Sequence, residues 1–318
     1  MIFTAGRLKA VGVFVGRLGV SAFAVWCILR FTEIDSIWAN LKLSSWLGCV
    51  ILSLLMVSHV LLCVWRWRAI LKEIFNCEVG FRRLSFLFGI SEVVGNVLPS
   101  FVGMDLLRAG ALARSVSIAV AARSVICDRI LGLLTLVIVM TCGLPGFAVF
   151  IDHGLALYAV SGLCFAALFG FLAVVLARPW LRRFRVLANT IDPLVGDVIR
   201  ALSTRALIVP AFVSGLLIHI ISAALLWASG LAIGVDLGLV YCLLIGPAAF
   251  LVSAAPISLA GWGVREGALA AGFGLVGADA NQVIASSVLY GLTTFVTGAF
   301  AMVLGLVPES GPKRCQLV

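Results

Sequence analysis

The chain has 318 residues, 63% of them hydrophobic and 12% charged, with 23 Lys and Arg against 14 Asp and Glu for a formal net charge of +9. A water-soluble domain carries roughly 45–50% apolar and about 25% charged residues, so no soluble fold could bury this much apolar surface. A soluble dehydrogenase, a nuclease and a secreted disulfide scaffold are excluded, and the sequence reads as an all-α, polytopic membrane protein.

The N-terminus, with Arg7 and Lys9 ahead of 10–31, is similar to a signal sequence. Arg17 interrupts it and Arg30 closes it without a small-x-small cleavage site, so an uncleaved first helix is expected. Charge-free runs then follow at 43–64, 130–151, 154–177, 206–235, 237–264 and 280–308. Each is long enough for a bilayer core, which needs about 20 apolar residues in a helix. Seven of the nine cysteines (Cys27, Cys49, Cys63, Cys127, Cys142, Cys164 and Cys242) fall inside apolar segments and read as small hydrophobes. His59 and His219 lie singly on apolar helices and read as packed, and His153 is a loop residue beside Asp152. The three histidines offer no metal spacing, so neither a metal nor another cofactor is expected.

Lys and Arg favour cytoplasmic loops, which accounts for the positive charge without nucleic acid. Sixteen of the 23 basic residues lie at the N-terminus, in 66–83, in the loop 178–205 and in the tail with Lys313 and Arg314. With all four segments inside, parity requires that 84–123 enter the membrane and return, and that 237–282 do the same from outside. Both termini are then cytoplasmic. Trp38 and Trp46 flank the outer loop, and Trp65, Trp67 and Trp180 stand at inner helix ends as interfacial aromatics. Arg66 and Arg68 at such an end read as snorkelling to lipid phosphate.

The two returning stretches are alike. Pro99 and Arg108 are nine residues apart, as are Pro256 and Arg265, and both arginines open Arg-x-Gly-Ala-Leu-Ala. The expected architecture is about eight helices plus two broken, re-entrant stretches in an inverted repeat, with units 1–150 and 151–318 and no soluble domain. Pro99, Gly103, Pro256, Gly261 and Gly263 are the expected helix breaks. Interrupted helices in inverted repeats are a transporter plan, with the substrate near the midplane.

Ionisable groups in a bilayer core need a reason. Arg108 and Arg265 occupy equivalent positions, and guanidinium groups suit phosphate. The alternative is internal pairing, Arg108 with Asp105 three residues earlier and Arg265 with a distant carboxylate, because Glu266 follows directly and would face away on a helix. Glu92, with Asn96 one turn on, could hold a cation or lipid amine, carry a proton, or pair with an arginine. Asp128 and Arg129 open the fourth helix and either partner the first returning stretch or touch substrate.

Three segments together are similar to a known family. They are Asn96-Val-Leu-Pro99 to Gly103-x-Asp105-x-x-Arg108, Ser124-x-x-x-Asp128-Arg129-x-x-Gly132, and Pro256-x-Ser258 to Gly261-x-Gly263-x-Arg265-Glu266-Gly267. They resemble the flippase-like lysylphosphatidylglycerol synthase transmembrane family, including hopanoid-associated members, from Trp65 to the last helix. Where that family often has paired glycines before the acidic residue, this chain has Gly103-Met104. The resemblance implies a bacterial or archaeal cytoplasmic membrane, translocation of a lipid between leaflets, and a substrate role for Arg108, Arg265, Asn96, Asp105, Asp128, Arg129 and Glu266, to which its charge inside an apolar stretch adds Glu92. The lipid is a phospholipid, an aminoacyl-phospholipid, a polyprenyl-linked lipid or a hopanoid. The sequence ends eleven residues beyond Val307, so it is not expected to make lysyl-lipid by itself. No nucleotide-binding motif and no nucleophile–base pair stand out, so a transporter is expected rather than an enzyme. The alternatives are a membrane partner of a lipid-modifying enzyme, or an integral enzyme of lipid or polyprenyl metabolism.

Overall fold

The computed structural model describes residues 46–95, 101–151, 153–255, 262–306 and 314–315. The expected helix at 10–31 and the residues Trp38, Asn96, Pro99, Asp152, Pro256, Gly261 and Lys313 lie outside them. Among the described residues eleven helices occur in the order α1 (Trp46–Phe75), α2 (Phe81–Gly95), α3 (Phe101–Leu112), α4 (Ile118–Phe150), α5 (Gly154–Leu176), α6 (Arg178–Leu181), α7 (Arg185–Ser203), α8 (Arg205–Ala232), α9 (Leu239–Ala254), α10 (Val264–Gly274) and α11 (Ala280–Leu306). Five of them, α1, α4, α5, α8 and α11, are long and apolar enough to cross a membrane. The chain is an integral membrane protein. Two two-residue strands, β1 (Cys77–Glu78) and β2 (Arg314–Cys315), pair antiparallel with Cys77 opposite Cys315, and Cys77 is disulfide-bonded.

Local chemistry sets the helix starts. Ser117 accepts the Val120 N–H ahead of α4, and the His153 ring accepts the Ala156 N–H ahead of α5. Asp279 accepts from Gln282 ahead of α11. In α8 the turn Ile208–Val213 widens to a π-helix around Pro210, whose missing N–H an α-helical ladder could not use. The segment 178–205, expected as a loop, holds α6 and α7. One face of α7 buries Asp197, Val198 and Ala201 against α1 and α4, and Arg200 is exposed. That amphipathic pattern was hidden by the density of arginines.

Contacts between clusters fix the relative directions of the spans. Leu52 and Met56 near the start of α1 share a cluster with Leu225, Ala228 and Ala232 late in α8. Ile70 and Ile74 late in α1 share one with Leu207 and Ala211 early in α8. These two spans are therefore antiparallel. By the same reading α4 runs with α8, from Leu131 beside Leu207 to Phe147 and Ile151 beside Leu226. α11 runs with α1, from Tyr290 beside Met56 to Ala301 and Leu304 beside Val60 and Leu61.

The short helices form two hairpins that open at opposite ends. The start of α2 and the end of α3 lie together, with Arg83 donating to Ser115 and Leu84 packing in one cluster with Leu112. At that end α7 docks, through Arg200 to the Ile74 carbonyl at 3.0 Å and Arg123 to Asp197 at 2.7 Å through two nitrogens. The start of α9 and the end of α10 meet at the other end, where Cys242 and Phe273 join Phe147, Ile151 and Leu237. The first end carries Arg68, Lys72, Arg82, Arg83, Arg178, Arg182, Arg183 and Arg205, whereas the described residues at the second (46–52, 145–160, 230–245 and 270–285) include no Lys or Arg.

Small residues let the hairpins sink between the spans. A Cβ at Gly89 of α2 would come within 2.5 Å of the Gly298 carbonyl oxygen of α11, and one at Gly305 would overlap Phe86. Of the seven cysteines read as small hydrophobes, Cys27 lies outside the described residues, and the other six carry no disulfide. Cys142 is exposed rather than packed.

Candidate functional site

Where the hairpins approach each other, α1, α2, α3, α4, α8, α9, α10 and α11 surround a cavity of about 260 Å³. A ladder of alternating charge forms one wall. Arg66 Nε donates to Asp128 Oδ1 at 2.8 Å, and Asp128 Oδ2 lies 3.5 Å from Arg108. Arg108 donates to Asp105 Oδ1 at 3.0 Å, and Arg129 Nε donates to Asp105 Oδ2 at 2.6 Å. The ladder joins α1, α3 and α4, so three charged segments that no spacing connects meet in space. Arg108 is buried between two rings, with its guanidinium 5.0 Å from the Trp67 ring and 5.2 Å from that of Phe88. Such stacking holds a desolvated cation in one orientation.

The facing wall repeats the device with different partners. Arg265 sits between Trp262 at 4.9 Å and Tyr290 at 5.4 Å. It donates from Nε to Ser287 Oγ at 3.0 Å and from Nη2 to Glu266 Oε1 at 2.7 Å. Glu266 is buried, and its other oxygen accepts the Gly263 N–H at 2.7 Å. Gly263 has φ 82°, a conformation that glycine adopts and L-residues avoid, and α10 begins there. The expected break at Gly263 is therefore where the helix starts.

Several expectations are corrected. Glu266 does not face away from Arg265: it folds back to cap the start of α10, and the guanidinium reaches across to the same oxygen. Gly103 is not itself a break, since α3 already runs from Phe101 and Gly103 lies in its first turn. Arg66 does not snorkel; its side chain is 7% exposed and bound to Asp128. Trp67 is fully buried under Arg108 rather than interfacial, and donates to Ser124 Oγ at 3.3 Å.

Of the residues expected at the site, Arg108, Arg265, Glu92, Asp105, Asp128 and Arg129 line the cavity. Glu266 lies behind Arg265. Asn96 is outside the described residues. His219 bonds the Gly132 carbonyl at 3.0 Å, in keeping with a packed residue, yet both it and His59 also face the cavity. The sequence reading missed Arg66, Tyr290 and Ser287. Ser287 lies four residues before the point where Gly291 lets Trp262 and Arg265 approach α11, and hydroxyl and glycine positions in an apolar span were the available signal.

The fold and site define a polytopic membrane protein in which two hairpins of short helices bring carboxylate-paired arginines, Arg108 buried and Arg265 mostly so, to one cavity. The chain belongs to the family described as the lysylphosphatidylglycerol synthase TM region, which matches residues 14–301. No curated protein and no solved structure matches it.

Proposed function

We propose that this protein is a lipid translocase of the cytoplasmic membrane, which passes a phosphate-containing headgroup through the cavity while the acyl chains stay in the bilayer. The observation that carries the reading is the convergence of Arg108 and Arg265, from hairpins that open at opposite ends, on one cavity. A headgroup arriving from either end would meet an oriented arginine, and guanidinium binds phosphate through fixed parallel donors.

The order long span, short helix, short helix, long span occurs twice, as α1 to α4 and as α8 to α11. Packing is reciprocal: α2 lies on α11 as α9 lies on α4, and α1 lies on α8. Both features support an inverted repeat with the pseudo-two-fold axis through the cavity. The arginine-rich end is then cytoplasmic. The family's tie to lysylphosphatidylglycerol supports a lipid as substrate. The side chains around the cavity bind and orient; the reading assigns them transport and no chemical step.

The test is headgroup accessibility in proteoliposomes. Labelled phospholipids in both leaflets are quenched from outside by dithionite. Wild type should carry quenching well beyond the outer-leaflet half, and Arg108→Ala and Arg265→Ala should each slow it. Quenching equal to that of protein-free vesicles, across several headgroups and with an imposed pH gradient, would refute translocation and favour a partner of a lipid-modifying enzyme.

A further inference from the structure

The charge ladder leaves one donor over. Arg66 Nη1 is buried and has no hydrogen-bond partner, although Nε of the same guanidinium is held by Asp128. The side chain is more than nine-tenths buried, and it lines the cavity. Native proteins leave few buried donors unsatisfied, and each such group calls for an explanation. Gly132 of α4 lets the guanidinium lie close against that helix: a Cβ there would stand 3.2 Å from Nη2 and 3.4 Å from Nη1.

The same face of α1 supplies a second donor. His59 lies seven residues before Arg66, two helical turns, and also lines the cavity. It makes no hydrogen bond among the described residues. Side chains lean towards the N-terminus of their helix, so Arg66 reaches back towards the level of His59. Arg108 and Arg265 differ, because each already donates to a carboxylate from a terminal nitrogen.

We propose that Arg66 Nη1, with His59 beside it, is the anion subsite of the cavity and binds a phosphodiester. A phosphodiester has two unesterified oxygens, one for each donor. It carries a single negative charge, which suits a guanidinium already half-neutralised by Asp128 at 2.8 Å. A phosphomonoester or inorganic phosphate, more highly charged at neutral pH, would be repelled by that carboxylate. The assignment rests on the translocation reading and names the group within it that the cavity recognises.

Calorimetric titration of the full chain in a neutral detergent tests it, with four probes: dihexanoyl phosphatidylglycerol, dihexanoyl phosphatidic acid, inorganic phosphate and dihexanoylglycerol. Phosphatidylglycerol should bind most tightly and dihexanoylglycerol not at all. Arg66→Gln should raise the phosphatidylglycerol Kd by about tenfold or more, the scale of one lost hydrogen bond from a charged donor, and His59→Ala by less. Arg66→Lys should recover only part, because an ammonium lacks the guanidinium fork. If Arg66→Gln does not fold, Arg66→Met combined with Asp128→Asn removes the pair together and serves instead.

An unchanged Kd in these variants would overturn the assignment. So would tighter binding of phosphatidic acid or inorganic phosphate than of the diester. The dithionite assay keeps the two readings apart. Translocation by wild type with Arg66-independent binding sinks this subsite alone, whereas Arg66-dependent binding without translocation sinks the translocase reading and leaves the subsite standing.

Discussion

Asp128 holds two arginines from two other helices, Arg66 through Oδ1 at 2.8 Å and Arg108 through Oδ2 at 3.5 Å. Removing one partner of a buried ion pair leaves an uncompensated charge, whereas replacing the pair with apolar groups is often neutral. Asp128→Asn should therefore destabilise the protein by about 3–5 kcal/mol, and adding Arg66→Met should recover much of the loss. Thermal unfolding in detergent checks both, and equal midpoints for wild type and Asp128→Asn would mean that the pair contributes nothing. Arg108 and Arg265 were legible at this scale because they recur at one spacing from a proline. Arg66 was not. In Trp65-Arg-Trp-Arg68 the two arginines are chemically identical, and only the carboxylate across from one of them separates the buried residue from the exposed one.

The elements at the arginine-rich end are tied by ion pairs. Arg178 of α6 and Arg182 both donate to Asp192 of α7, and these bonds, Arg178 first, hold the Asp192 carboxyl low, at about 2. A carboxylate in an unfolded chain titrates near pH ~3.9. The folded value is the lower one, so the tie contributes stability above about pH 4 and loses it as pH falls through about 2. The Asp192 carboxyl carbon, followed by NMR, should titrate near pH 2 and move upward in Arg178→Gln. A wild-type midpoint near 4 would show that the tie is not made in solution. The hairpins were legible from charge parity alone, since both ends of 84–123 had to lie on one side. Helix α7 was not, because the arginines around it hid a buried face of three residues among the sixteen of 188–203.

At the scale of the whole molecule, charge is segregated along the bundle. The described residues at one end include no Lys or Arg, and the other end gathers the arginines of α1, α2, α6, α7 and α8. Cysteines placed at Lys72, Ser115 and Arg183 should react with a membrane-impermeant maleimide from the same side, and one at Asp279 from the opposite side. Cells with right-side-out membranes should therefore label Asp279→Cys and spare the other three. Labelling of Ser115→Cys together with Asp279→Cys would mean that the stretch from α2 to α3 makes one net crossing of the membrane rather than returning.

The sequence by itself determined the class of protein and the position of the long spans, and it set 84–123 and 237–282 apart from them. It could do so because each rests on a property of single segments: apolar length, loop charge, or a motif that recurs. It also singled out most of the cavity's charged residues, since a charge inside an apolar run is conspicuous wherever it points. Only the tertiary structure decided which charges pair, that Arg66 is buried with one donor to spare, and that Glu266 folds back onto Arg265. The reason is the solvent. In water an apolar stripe marks the inward face of a helix. In a bilayer the lipid-facing side is as apolar as the packed side, so the periodicity of α1 carries no record of which residues look into the cavity until α4 and α8 are set against it.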